Sequence, residues 1–126
     1  MTVDEIQKLA VIIAQQCAKA ELSYPFGDDI PVFKVMGKVF MLTSTLNGKK
    51  FVNLKVDPDE SEMLRDTYSS IRVGYHMNKR HWISIYEGKQ IHVELIEDLV
   101  KASYELVVSK LTKKQQQTLA VHAQIK

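Results

Sequence analysis

Hydrophobic residues recur at helical spacing near the N-terminus of this chain, between positions 6 and 20. Ahead of them, Thr2 and Glu5 form a capping box, in which each side chain can bond a free backbone N–H group of the other residue. The turn-forming run Tyr24-Pro25-Phe26-Gly27 follows. The pattern predicts a first helix to about Ala20, with one apolar stripe for the core.

The next segment alternates apolar and polar residues, which is typical of β-strands. Three alternating runs cover residues 32–35, 39–46 and 51–56. Met36-Gly37 and Asn47-Gly48 separate them, and Asn-Gly is a strong hairpin signal because both residues tolerate a positive φ. The segment predicts a three-stranded meander.

The second half of the chain returns to a helix, two strands and another helix. Asp57-Pro58 offers an N-cap and a proline at the first helical position, which predicts a helix to about Tyr68. Residues 71–77 and 81–86 alternate again and predict a fourth and a fifth strand. Residues 93–111 carry apolar side chains at helical spacing and predict a long amphipathic helix.

The element order α-β-β-β-α-β-β-α predicts an α+β sandwich, with the helices on one face of a mostly antiparallel five-stranded sheet. At 126 residues the chain can bury one hydrophobic core without disulfides. We expect a single domain over residues 1–111 and a polar C-terminal helix or tail over residues 112–126.

Strand alternation also predicts which side chains share a face of the sheet. One set should point toward the helices: Phe33, Val35, Phe40, Leu42, Leu46, Val52, Leu54, Val56, Val73, Tyr75, Ile83 and Ile85. The other set should line the opposite face: Lys34, Val39, Met41, Thr43, Thr45, Phe51, Asn53, Lys55, Arg72, His76, Asn78, Trp82, Ser84 and Tyr86. This second set mixes cations, amides and aromatic rings, and among the rings Trp82 could be either a stacking surface or a core anchor.

The net charge of +2 argues against a polyanionic partner only while the chain is counted as a whole. Residues 32–56 and 71–85 together hold eight basic residues and no acid. The remaining nine basic and fifteen acidic residues give −6, which restores the overall +2. Positive charge is therefore concentrated on the predicted strands.

Cations beside aromatic rings suit nucleic acid, because phosphates attract the cations and bases stack on the rings. A β-ribbon bearing Lys and Asn could also enter a DNA groove. Two other interpretations of the face stay open, a contact surface for a second copy or another protein and a merely solvated face. A third kind of function is binding of a phosphorylated small molecule near Arg72, His76 and Lys79.

The sequence offers little for catalysis or for a cofactor. No glycine-rich phosphate loop and no nucleophile elbow occurs, and His76 and His81 have no nearby acid to complete a metal site. Cys17 is the single cysteine, lies on the apolar stripe and excludes an internal disulfide. We expect a non-enzymatic cytoplasmic protein with no metal, no cofactor and no membrane contact, since no signal peptide or long apolar run is present.

Several motifs resemble those of the MmcQ/YjbR family of small bacterial proteins. The most specific is the run Gly74-Tyr75-His76-Met77-Asn78-Lys79-Arg80-His81-Trp82. Further matches are Tyr24-Pro25-Phe26-Gly27, the run from Val32 to Phe40, Leu54-Lys55 ahead of Pro58, and Ser103-Tyr104-Glu105-Leu106-Val107. The resemblance covers most of residues 2–111 and departs from the family pattern at Val73, where we expect proline.

The resemblance implies a frataxin-like sandwich, similar to the double-wing DNA-binding domain of the phage transcription factor MotA. It also implies DNA binding, although similarity of fold is only associational evidence for function. The family motif together with the basic residues beside it gives a candidate nucleic-acid site: Lys34, Lys38, Lys55, Arg72, His76, Asn78, Lys79, Arg80 and Trp82. His81 also belongs to the motif, but its position at a strand start favours a role in stabilising the turn.

Overall fold

A computed structural model describes residues 1–125, with only the backbone given for Leu46 and residues 122–125. The predicted inward side chain of Leu46 and the last residue of the predicted tail, Lys126, therefore lie outside the described part. The elements are α1 (Val3–Gln16), β1 (Ala20–Ser23), β2 (Val32–Val35), β3 (Lys38–Leu46), β4 (Lys49–Lys55), α2 (Pro58–Thr67), β5 (Ile71–Val73), β6 (Trp82–Ile85), α3 (Val93–Ser109) and α4 (Lys113–Ile125).

The six strands form one antiparallel sheet in the order β1-β2-β3-β4-β6-β5. The predicted α+β class is confirmed, but the predicted count of five strands is wrong, because the first helix was expected to reach about Ala20 and no strand was predicted over residues 21–23. That helix keeps its predicted capping box, with Glu5 N–H bonding Thr2 Oγ1 at 3.3 Å, yet it ends at Gln16. Lys19 then takes a left-handed φ of 55°, which turns the chain into β1.

Helices α1 and α3 pack on one face of the sheet and enclose the main core. Ile6 and Ala10 of α1 and Ile96 and Val100 of α3 are almost completely buried there. The predicted C-terminal helix or tail is a helix, and Leu119 of α4 is also part of the main core. The C-terminal segment is thus attached to the sandwich by an apolar contact.

A β-bulge in β3 changes which residues face the helices. The register between β2 and β3 shifts at Phe33 and Lys34, and Phe40 is the extra residue on the β3 side. Phe40 and Met41 are consequently both buried in the main core. Beyond the bulge the predicted faces are reversed, because one inserted residue moves each later side chain to the other face.

Three predicted positions on the opposite face are therefore wrong. Met41, Thr43 and Thr45 pair with Leu54, Val52 and Lys50 on the helix side of the sheet. Leu42, predicted to face the helices, packs with Val32 and Phe51 on the other face instead. We call that second face, directed away from α1 and α3, the open face.

No helix within residues 1–125 is both long enough and apolar enough to cross a membrane.

Candidate nucleic-acid interface

The open face is partly covered by the connection between β5 and β6, residues 74–81, which we call the wing loop. The predicted fourth strand, 71–77, stops at Val73, so the predicted strand position of His76 is wrong, and Asn78 lies in the connecting loop and not on a strand face. His76 has a left-handed φ of 57°, which turns the chain back across the sheet. Tyr75 and Met77 of the wing loop pack on the open face, where Tyr75 was predicted to face the helices.

A buried polar cluster holds the wing loop against the sheet. Asn53 on β4 and Ser84 on β6 are register partners, and both are almost completely buried. Asn53 Nδ2 donates to the Tyr75 carbonyl at 3.1 Å, and Tyr75 N–H donates to Ser84 Oγ at 2.9 Å. Ser84 Oγ in turn donates to Asn53 Oδ1. The buried amide of Asn53 and the buried hydroxyl of Ser84 are both hydrogen-bonded, and these bonds give the wing loop a defined position.

The aromatic rings of the open face are engaged with one another. Phe51 lies 5.8 Å from Tyr75 and 5.6 Å from Tyr86, measured between ring centroids. Trp82, for which a stacking ring and a core anchor were both predicted as open alternatives, is only 8% exposed. Gly74 lies directly against it, since a Cβ atom on Gly74 would be 2.5 Å from Trp82 Cβ. The prediction of an exposed ring for base stacking is therefore wrong at Phe51, and of the two roles predicted for Trp82 its burial favours the core anchor.

The cations of the candidate site occupy three places. Lys34 and Lys55 are half-buried on the open face, and Lys34 lies opposite Glu21 in the register of β1 and β2. Arg72 is exposed on β5, with its guanidinium carbon 5.8 Å from the centroid of the Tyr86 ring. Lys38 pairs with Val35 and so begins β3 on the helix side of the sheet.

The wing loop carries the remaining candidate residues, and all of them are exposed: His76, Asn78, Lys79 and Arg80. Asn78 has a structural role as well, because its Oδ1 accepts the backbone N–H of Arg80 at 2.9 Å. His81 lies in the same turn, and its backbone contacts Asn78 and Val56. The loop therefore presents two cations on a turn that is fixed at both ends.

A second basic group lies near the Asn47-Gly48 turn between β3 and β4. Of its members, only Arg72 on β5 belonged to the predicted nucleic-acid site. Lys49, Lys50 and Arg72 line an open cavity of about 770 Å³ together with Ser69 and Ser70. Lys50 forms an ion pair with Asp4 of α1, and this bond lowers the pKa of the Asp4 carboxyl. Sequence reasoning omitted both Lys49 and Lys50, although they stand in the acid-free run that produced other candidates.

Among the described side chains, no three His, Cys, Asp or Glu residues come close enough together to hold a metal ion. Cys17 is half-buried, and burial raises the pKa of its thiol. Burial therefore favours the protonated form of the Cys17 thiol. The open face itself provides positive charge and polar groups.

Comparison with known proteins places the chain in a family. The YjbR family model matches residues 16–106. The chain is 45% identical over 116 residues to the uncharacterised protein YbdF of Escherichia coli O157:H7, covering 92% of this chain and 95% of that protein. It is 31% identical over 86 residues to the uncharacterised protein YjbR of Escherichia coli K12, covering 68% of this chain and 73% of that one.

Solved structures show the same fold. Deinococcus radiodurans protein DR2400, a DUF419 domain, aligns with a TM-score of 0.78 at 33% identity and covers 94% of this chain and 88% of that one. A Pseudomonas syringae protein aligns with a TM-score of 0.67 at 25% identity and covers 79% of this chain and 97% of that one. The motif around the wing loop, the family model and these relatives agree, and the chain belongs to the YjbR family.

Proposed function

We propose that this protein is a non-enzymatic DNA-binding module that contacts phosphates with the cations of its open face and wing loop. The observation that carries the proposal is the segregation of charge in the sheet. The six strands contain six basic residues and a single acid, Glu21, all within the described part of the chain. Phosphate contacts supply most of the affinity of nonspecific DNA binding, and lysine and arginine make them.

The spacing of the cations supports contact with several phosphates at once. Lys34 on β2 and Lys55 on β4 lie on the open face on either side of β3, so they can reach different phosphates. Lys79 and Arg80 extend the positive surface beyond β6. Among the described side chains, Lys50 is the one lysine or arginine that forms an ion pair with a carboxylate. The cations available to a ligand therefore include Lys34, Lys55, Lys79 and Arg80.

The engaged rings set the expected mode of binding. Trp82, Phe51 and Tyr75 pack within the protein, and base stacking on them would require the wing loop to leave the sheet. We therefore expect duplex DNA to bind through its backbone, with little sequence preference. Single strands, which depend on stacking, should bind less tightly than duplexes.

Charge reversal tests the proposal. Lys55→Glu and Arg72→Glu should each weaken binding of a labelled duplex by about tenfold at low salt, because a phosphate contact becomes a repulsion. Lys101→Glu on α3 changes the net charge equally on the helical side and should leave affinity nearly unchanged. If all three variants weakened binding equally, the change in net charge alone would explain the effect. That result would contradict the assignment of binding to the open face.

A second candidate function, self-association, is favoured by one apolar feature. Phe26 is 69% exposed beside a cavity of about 330 Å³ that is lined by Leu42, Phe51 and Met77. The acids Asp28 and Asp29 follow Phe26, whereas Lys79 and Arg80 follow Met77, so a second copy related by a two-fold axis would match charge as well as apolar surface. Light scattering decides this candidate: a dimer that Phe26→Ser converts to a monomer supports it, and a monomer at high concentration excludes it.

A further inference from the structure

The strands β3 and β4 separate where β3 begins and β4 ends, and Ser103 of α3 lies between them. Ser103 Oγ of α3 accepts the backbone N–H of Lys55 at 2.9 Å and donates to the Phe40 carbonyl at 2.6 Å. One hydroxyl thus stands where the two strands would otherwise bond each other, and direct pairing begins only at Met41 and Leu54. The bulge at Phe40 and the inserted serine together spread the two strand ends apart.

The spread strand ends form a cleft of about 370 Å³, which we call the strand-end cleft. Val107 and Leu111 of the α3 end form its apolar floor, and the small exposed part of Trp82 lies at its wall. Three lysines surround it: Lys38, Lys55 and Lys110. None of its described lining residues is acidic.

We propose that the strand-end cleft binds a small phosphate monoester that carries an apolar or aromatic group. A phosphate monoester has a charge of about −1.5 to −2 at neutral pH, which three ammonium groups match better than they match a singly charged carboxylate. The cleft, with a volume of about 370 Å³, has room for an aromatic ring together with a phosphate group. The apolar floor accounts for the requirement of a hydrophobic body.

The strand-end cleft and the proposed DNA surface share Lys55 but differ in their other residues. Lys38 and Lys110 belong to the cleft and not to the row of cations on the open face. Arg72 lines a different cavity and is not among the residues of the cleft. Variants at these positions therefore separate the two proposals.

Trp82 is the single tryptophan of the chain, so its emission reports directly on the cleft. Titration with phenyl phosphate should give a saturable change in Trp82 fluorescence, with phenol and inorganic phosphate each binding more weakly. The double variant Lys38→Gln/Lys110→Gln should weaken phenyl phosphate by at least about tenfold, since two charge-assisted contacts are lost. Lys101→Gln is the matched control and should bind as the parent does. No saturable change, equal binding of phenol or phosphate, or an unaffected double variant would overturn the proposal.

The terminal 5′-phosphate of a nucleic acid strand is also a phosphate monoester, and a pair of short oligonucleotides distinguishes that source from a free small molecule. Preference for the 5′-phosphorylated strand over its 5′-hydroxyl form, lost in Lys38→Gln/Lys110→Gln, identifies strand ends as the ligand. Equal binding of both strands beside saturable phenyl phosphate binding identifies a free molecule. Arg72→Glu should weaken duplex binding by about tenfold and leave the phenyl phosphate titration unchanged, so failure of one proposal does not imply failure of the other.

Discussion

Ser84 Oγ donates a hydrogen bond to Asn53 Oδ1 in the middle of the open face, and the same hydroxyl accepts the backbone N–H of Tyr75. Both side chains are almost completely buried, and their hydrogen bonds add to the apolar packing of Tyr75 and Met77 on the open face. This relationship fixes the wing loop, and with it Lys79 and Arg80, against the sheet. The position of the basic loop therefore depends on two uncharged residues.

Replacing Asn53 by leucine should destabilise the protein by about 1–3 kcal/mol, because the Tyr75 carbonyl and the Ser84 hydroxyl lose their buried partner. Urea unfolding measures the change. Asn78→Ala, which removes one exposed hydrogen bond of the same loop, should cost much less. An Asn53→Leu midpoint equal to that of the parent would contradict the role assigned to the cluster.

Ser103→Ala should destabilise the protein by a similar amount, about 1–3 kcal/mol, because the Lys55 N–H and the Phe40 carbonyl would lose the hydroxyl that bridges them. Ser109→Ala on the same helix is the control, since its exposed hydroxyl bonds only a carbonyl within the helix. Denaturant unfolding of the two variants separates the buried bridge from a general effect of serine on α3. Equal midpoints would show that the strand ends do not need the bridge.

The main features of the fold were predictable from the sequence, and the departures have local causes. Capping at Thr2, the Asn47-Gly48 turn and the amphipathic α3 are encoded by neighbouring residues. β1 was missed because Ala20 and Glu21 are good helix formers, and only pairing with β2 makes them a strand. The bulge at Phe40 was missed because residues 39–42 are all apolar, so this run shows no change of alternation that would mark an inserted residue.

Gly74→Ala should be destabilising by about 1–3 kcal/mol through overpacking, because the new methyl group would lie 2.5 Å from Trp82 Cβ and 3.0 Å from its carbonyl carbon. The emission of Trp82 should shift at the same time. Gly48→Ala provides the comparison: it has open space but a φ of +77°, so it should cost about 1–2 kcal/mol without altering the fluorescence. A Gly74→Ala protein with parental stability and emission would contradict the close approach.

Cys17 should react slowly with a disulfide reagent at neutral pH. Burial raises the pKa of its thiol, and the thiol also lies 3.5 Å from the Ile13 carbonyl. Since the thiolate is the reactive form, the reaction rate should rise with pH to a midpoint above that of free cysteine, and denaturant should remove the difference. A midpoint below that of free cysteine would indicate an activated thiol and would contradict the structure.

The candidate site was only partly predictable. The basic residues Lys55 and Arg72 do lie on the open face, because the alternation on β4 and β5 is regular. The accessibility of Trp82 could not be inferred, since its burial depends on Gly74 and on residues of α3 that are distant in sequence. The return of the wing loop across the sheet depends on a left-handed His76, which histidine adopts too rarely to be predicted.

The salt dependence of duplex binding tests the central claim most directly. Fluorescence anisotropy of a labelled DNA duplex, titrated between about 50 and 200 mM salt, should give a log–log slope of about −4, as expected when four or five phosphates are neutralised. Arg72→Glu should reduce the magnitude of that slope by about one, while Lys101→Glu should leave it unchanged. Absence of binding at low salt, or binding whose affinity does not change with salt, would contradict the proposal that the open face and wing loop bind DNA through its phosphates.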